Sequence, residues 1–138
     1  MLDKNNVSVY MHLFYKEPSI YLIEKISEEY DGEIFISLND TGADNQEIIS
    51  YAEEKFNNVK YKTVKNKGND QYGFFKIFQE HQSNKNWILY CHDKTIKRID
   101  WLDKILEPIF LNTKKMNSIM SSEEVGIISS GDHEYMHR

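Results

Sequence analysis

The stretch that decides the fold is residues 59–92, "VKYKTVKNKGNDQYGFFKIFQEHQSNKNWILYCH". It begins with Val59, Tyr61 and Thr63 in alternation with lysines. This pattern predicts a half-buried strand with these three residues on its inner side. A glycine-bearing loop follows, then aromatic residues at helical spacing, then the apolar run 86–92, which predicts a fully buried strand. The stretch therefore predicts a strand, a helix and a second strand, as in α/β proteins.

The same alternation extends on both sides of this stretch. Further strands are predicted by short apolar runs at 7–14, 32–39 and 125–130, and further helices by the apolar spacing at 17–30, 45–56, 98–110 and 113–124. Connections of this length exclude tight hairpins and favour parallel strands joined by right-handed crossovers. We therefore expect an α/β fold: a three-layer α/β/α sandwich with a mostly parallel, Rossmann-like sheet.

Length and composition limit the classes of function. The 138 residues are enough for one domain, expected at 1–130 with a flexible tail at 131–138, and the formal net charge is -5. Lysines and glutamates are interleaved, which disfavours nucleic acid as a partner because phosphate binding needs a clustered basic surface. The lone cysteine, Cys91, fits a reducing cytoplasm. Neither a signal peptide nor an apolar run near the ~20 residues of a membrane span is visible.

Polar residues collect where the predicted strands end. Open parallel sheets bind ligands outside the carboxyl ends of their strands. Carboxylates there suit ribose hydroxyls or a divalent cation, and amides suit base edges or phosphate. The candidate ligand-binding residues, in strand order, are His12, Tyr15, Asp40, Asn66, Gly68, Asp70, His92 and Lys94, with Asp93 as the candidate metal ligand.

Each candidate also has a structural interpretation. Asp40 and Asp70 are residue types that commonly cap helices, and Gly68 is suited to a turn. Asp93 is a candidate for a surface ion pair with a neighbouring lysine, and His92 for a half-buried ring with satisfied hydrogen bonds. The predicted convergence of these residues on one edge is what favours a binding site.

The order of segments resembles the GT-A nucleotide-sugar glycosyltransferases, both the inverting family 2 and the rhamnan synthesis F-like proteins. The resemblance covers most of the chain and rests on short motifs: "VSVYMHLFY", "SLNDTGAD", "NKGNDQYG", "WILYCHDK" and "DWLDKIL". It implies a GT-A nucleotide-binding half and a nucleoside-diphosphate sugar as ligand, used for polysaccharide or surface-glycan synthesis.

The resemblance also implies roles for individual residues. Asp40 would hold the nucleotide, and the loop 66–70 would border the base. Cys91, His92 and Asp93 fall on the family's D-x-D metal motif, in which the first carboxylate is missing, so that Asp93 is left as a ligand for Mg²⁺ or Mn²⁺ beside the diphosphate. Alternatively, Lys94 or His92 would neutralise the departing diphosphate without a metal.

Other classes of function stay open at this point. In the family, the acceptor site and the general base lie beyond the strand matched by 125–130, so we expect a chain that ends after the donor-binding half and assign no catalytic residue. The alternative is a non-catalytic α/β binding or scaffolding module that presents Tyr10, Phe14, Tyr15 and Tyr72 as one exposed aromatic surface. A flavodoxin-like or receiver domain fits less well, because no phosphate loop is evident.

Overall fold

The computed structural model describes residues 1–67, 69–93 and 99–126. Strands and helices alternate along them. The strands are β1 (Val7–Leu13), β2 (Ile34–Asn39), β3 (Val59–Val64) and β4 (Trp87–His92); the helices are α1 (Lys16–Glu29), α2 (Asn45–Lys55), α3 (Asn69–Glu80), α4 (Ile99–Phe110) and α5 (Thr113–Met120).

The four strands form one sheet in the order β3-β2-β1-β4, and every neighbouring pair is parallel. Right-handed crossovers place α1 and α2 on one face of this sheet, because both lead outward from β1 toward β3. The connection from β3 back to β4 runs in the opposite direction, so α3 lies on the other face. The prediction of a parallel α/β/α sandwich is confirmed.

The face under α1 and α2 is almost wholly apolar. Side chains alternate between the faces of a strand, and here every second residue of β1 and β2 points into one continuous core. This core is completed by apolar residues of α1, α2, α4 and α5, and its strand residues are Val7, Val9, Met11, Leu13, Ile34, Ile36 and Leu38. Burial of this set is the main term that holds the helices on the sheet.

The face under α3 carries a smaller and more polar core. Tyr10 of β1 and Phe35 of β2 stack with their ring centroids 4.4 Å apart, and Ile77 of α3 packs against them. The Tyr10 hydroxyl donates a hydrogen bond of 2.7 Å to the carbonyl of His81, just beyond α3. Serine and histidine side chains occupy the other inward positions of β1 on this face, Ser8 and His12.

Two of the predicted strand environments are wrong. Tyr61 is 51% exposed and Thr63 is also exposed, because β3 is an edge strand that α2 covers only in part. The strand β4 was expected to be fully buried, but it lies at the other edge of the four-stranded sheet and most of its residues are half-buried or exposed. Edge strands bury less side-chain surface than central ones, and sequence periodicity does not reveal which strands are at the edges.

Two further predictions are not decided by the structure. Val125 and Gly126 begin the predicted fifth strand and are not in a strand, and the rest of that strand lies outside the described residues, as does the tail predicted at 131–138. Among the helices that are described, none has the length and apolar character needed to cross a membrane.

Candidate functional site

The strand order reverses between β1 and β4. From β1 the chain proceeds through β2 to β3 on one side, and β4 then lies on the other side of β1. Open α/β sheets bind ligands outside the carboxyl ends of the strands at such a reversal, and we call the carboxyl edge between β1 and β4 the divergence point. The residues at this point are Phe14 and Tyr15 after β1, and His92 and Asp93 at the end of β4.

Asp93 is the most strongly bonded polar side chain at this point. Its Oδ2 atom accepts hydrogen bonds from the backbone N–H of Phe14 (3.0 Å), the backbone N–H of Tyr15 (2.5 Å) and the hydroxyl of Ser19 (3.1 Å). Only 6% of the residue is exposed, and this burial raises the pKa of the carboxyl, while the three hydrogen bonds act in the opposite direction. Asp93 is thus a buried side chain and not one that lies at the surface.

Three polar residues on neighbouring strands, Ser37, His12 and His92, form a row on the α3 face, which we call the polar row, and His12 lies in its middle. It is the register partner of Ser37 on β2 and of His92 on β4, and its Nδ1 is 2.8 Å from the Ser37 hydroxyl. Gly73 of α3 packs directly onto this pair: a Cβ atom at Gly73 would lie 2.3 Å from His12 Nδ1 and 2.7 Å from Ser37 Oγ. His12 is therefore a buried residue with a polar partner, set back from the edge that a ligand would reach.

The residues aligned with the D-x-D motif do not all lie on one face of the sheet. Cys91 packs into the apolar core on the α1 face, where burial raises the pKa of its thiol to about 12, so the thiol stays protonated. His92 takes the α3 face by strand alternation, beside Tyr90, and its Nδ1 is 2.9 Å from the carbonyl oxygen of Asp93. Asp93 turns toward the start of α1. Strand alternation therefore places His92 on the face opposite to Cys91, while Asp93, two residues beyond Cys91, lies on the α1 side.

Asp40 and Asn66 do come together, as predicted. The Asn66 backbone N–H donates to Asp40 Oδ1 at 3.2 Å, and the Asp40 N–H donates to the carbonyl of Val64 at 2.8 Å. These bonds join the carboxyl ends of β2 and β3. The Asp40 carboxylate is exposed and bonds to this neighbouring loop, so its structural role is to tie two loops together while one face of the group stays open to solvent.

The remaining predicted site residues lie outside what the structure describes. Gly68 and Lys94 are not among the described residues, and the side chain of Asp70 is not described although its backbone lies in the first turn of α3. Their predicted roles stay predictions. The geometry of the site therefore rests on His12, Tyr15, Asp40, Asn66, His92 and Asp93.

The aromatic residues do not form one exposed surface. Tyr10 is fully buried in the α3-side core, Phe14 and Tyr72 are half-buried, and Tyr15 is 43% exposed. The Tyr15 ring lies edge-on to Phe14 with centroids 4.9 Å apart. Of these four aromatic residues, Tyr15 is the most exposed.

The residues at the site fit a divalent cation poorly. Among the residues that the structure describes, no group of three His, Cys, Asp or Glu side chains is placed to hold a metal ion. Asp93 is the sole carboxylate of the aligned motif, and its Oδ2 already accepts three hydrogen bonds. The metal role of Asp93 stays a prediction, and the function proposed below uses no cation.

Sequence reasoning missed three residues that shape this edge: Ser19, Ser37 and Gly73. Ser19 and Ser37 are fully buried and bond to Asp93 and His12, respectively. A glycine inside a helical pattern indicates close packing, so Gly73 was the one that the sequence could have revealed. The two serines give no such signal, because their partners are distant in the chain.

Two cavities lie away from this edge. One, of about 720 Å³, is lined by polar residues before β1 and β4, among them Asn5, Asn6 and Asn86, and by residues 120–126 at and after the end of α5. The other, of about 430 Å³, follows the outer side of β4 past Trp87 and Leu89. Both belong to the amino end or the outer edge of the sheet, not to the divergence point.

No protein-family model, curated protein or solved structure matches the chain. The functional argument therefore rests on the fold and on the side chains at the carboxyl edge of the sheet.

Proposed function

We propose that this chain is a glycosyltransferase-like domain that binds a nucleoside-diphosphate sugar between the carboxyl ends of β1 and β4. The proposal concerns donor binding, and no general base or acceptor site is assigned to a described residue. A cytoplasmic location, inferred from the lone cysteine, is part of the same proposal.

The observation that carries the proposal is the strand order β3-β2-β1-β4. In this order β1 and β4 are neighbours and the strand order reverses between them, so a ligand placed at their carboxyl ends meets the residues that end or follow both strands. These residues include aromatic and polar groups, since Tyr15 follows β1 and His92 ends β4. A nucleotide needs such a combination, because its base requires a flat apolar contact and its phosphates require donors.

Individual residues have separate roles in this proposal. The exposed ring of Tyr15 provides a stacking surface for the base, at a position fixed by the N–H bond of the same residue to Asp93. Asp40, exposed at the end of β2 and joined to Asn66, offers a carboxylate oxygen to the hydroxyl groups of ribose. His92 lies on the opposite side of β1 from Asp40, toward the diphosphate.

The proposal is tested by calorimetric titration of the protein with UDP-, GDP- and dTDP-sugars. We expect one nucleotide class to bind, and we expect Tyr15→Ala to weaken that binding about tenfold or more, because base–ring stacking contributes about 1–3 kcal/mol. The matched control is Tyr61→Ala, which removes a similarly exposed ring from the β3 edge (51% against 43%) and should leave the affinity unchanged.

Two results would reject donor binding at this edge. One is the absence of heat with all three donor classes. The other is equal weakening by Tyr15→Ala and Tyr61→Ala, which would show that the ring at the divergence point has no special role. The alternative is a non-catalytic module with an exposed aromatic surface. Tyr10 is buried in the core and does not contribute to such a surface, and no contact among the described residues favours this alternative over donor binding.

A further inference from the structure

The start of α1 is held by a residue from another strand. Tyr15 is the N-cap residue of α1, and its own side chain makes no capping hydrogen bond. The backbone N–H groups of Phe14 and Tyr15 and the hydroxyl of Ser19 donate instead to Asp93. This residue lies 74 to 79 positions further along the chain. A carboxylate at a helix N-terminus is also favoured by the positive end of the helix dipole. One side chain of the β4 end therefore determines the conformation of the β1–α1 turn.

The burial of Asp93 makes these hydrogen bonds necessary. A carboxylate removed from water is strongly destabilising unless donors replace the lost hydration. Phe14, Tyr15 and Ser19 supply three such donors to a single oxygen, and hydrogen bonds to an ionised acceptor are about twice as strong as neutral ones. The bonding capacity of Oδ2 is thus used within the chain.

A cation at the same carboxylate would be in an unfavourable place. It would have to bind through the other oxygen, close to the N–H groups and the positive dipole end of α1. The two preceding residues offer it no help, because the Cys91 thiol is buried in the apolar core and the His92 ring lies on the α3 face. The D-x-D alignment therefore does not correspond to a cation-binding geometry here.

We infer that Asp93 is a positioning residue, which fixes the β1–α1 turn so that Tyr15 faces the divergence point, and that it is not a ligand of a divalent cation. The turn-fixing role stands on the described hydrogen bonds alone. The orientation of Tyr15 toward a nucleotide rests, in addition, on the function proposed above.

The turn-fixing role is tested by amide hydrogen exchange without any nucleotide. Asp93→Asn keeps the side-chain shape and removes the charge, so we expect the N–H groups of Phe14 and Tyr15 to exchange at least about tenfold faster. Ser19→Ala retains the carboxylate and should have a smaller effect of the same sign. The control is Asp40→Asn, which alters an exposed carboxylate that also accepts one backbone N–H and should leave both amides unchanged.

The cation question is tested on the same samples by adding Mn²⁺ alone and recording amide NMR spectra. We expect the Phe14 and Tyr15 signals to broaden no more than signals elsewhere. Selective broadening of these two signals in the wild type, lost in Asp93→Asn, would overturn the inference. Unchanged exchange in both Asp93→Asn and Ser19→Ala would overturn it as well.

A double-mutant cycle separates positioning from direct contact with the donor. If Asp93 acts through Tyr15, the variant Asp93→Asn/Tyr15→Ala should bind the donor as weakly as Tyr15→Ala and no more weakly. Additive losses would mean that Asp93 touches the donor or its cation, and would contradict the inference. The exchange and Mn²⁺ experiments contain no nucleotide, so their failure and the failure of donor binding are distinguishable.

Discussion

The two faces of the sheet are built from alternate residues of the same strands, yet they are packed in different ways. On the α1 face, β1 and β2 contribute only aliphatic and methionine side chains, and four helices cover them. On the α3 face the same strands contribute Ser8, Tyr10, His12, Phe35 and Ser37, and among the helices that the structure describes only α3 covers them. The first face is held mainly by apolar burial, and the second also depends on directed contacts.

This difference shows which face of the sheet accommodates buried polar groups. On the α3 face each buried polar group has a specific partner: the Tyr10 hydroxyl meets the His81 carbonyl, and His12 meets Ser37. Such partners require close and fixed approach of α3, which Gly73 permits. The apolar face should therefore respond most to lost volume, whereas the α3 face should respond to added volume and to lost hydrogen bonds.

The largest effect is expected from a cavity on the apolar face. Ile36 is fully buried in the central part of β2, so Ile36→Ala should lower the free energy of unfolding by about 2–5 kcal/mol. Chemical denaturation measures this directly. An exposed apolar residue on β4 provides the control: Ile88→Ala should change stability much less, since Ile88 is 39% exposed. Equal losses at the two sites would mean that the apolar face is not the main source of stability.

The second effect is a loss of stability from a Gly→Ala substitution inside a helix. Inside a helix, Gly→Ala normally stabilises by about 1 kcal/mol. At Gly73 the new methyl group would overlap His12 and Ser37, so we expect Gly73→Ala to lower the free energy of unfolding by about 1–3 kcal/mol. Gly126→Ala is the control, because a Cβ at that position meets no atom within 4 Å. A stabilised Gly73→Ala variant would show that α3 does not pack tightly on the polar row.

The smallest effect concerns a single hydrogen bond on the α3 face. Tyr10→Phe keeps the ring that stacks on Phe35 and removes the donor to the His81 carbonyl, which should cost about 1 kcal/mol of stability. Tyr61→Phe, with its exposed ring on β3, should have no measurable effect under the same denaturation conditions. If both substitutions are neutral, the polar contacts of the α3 face contribute no specific stabilisation.

Some features of the candidate site were predictable from the periodicity of the sequence, and others were not. That Asp40, Asn66, His92 and Asp93 end or follow strands was predictable, because strand ends are visible in the alternation of apolar and polar runs. The contact between Asp40 and Asn66 brings two of the predicted site residues together. The contacts of Asp93 were not predictable, since nothing near residue 93 indicates that its donors lie at residues 14, 15 and 19.

By itself, the sequence determined the order of strands and helices and the parallel direction of the strands. These follow from local periodicity and from connections too long for hairpins, and both are properties of neighbouring residues. Only the tertiary structure decided that β4 lies beside β1, that the Cys91 thiol is buried in the apolar core, and that Asp93 bonds to the start of α1. Those facts depend on which distant strands pair, and pairing is set by the packing of the whole sheet.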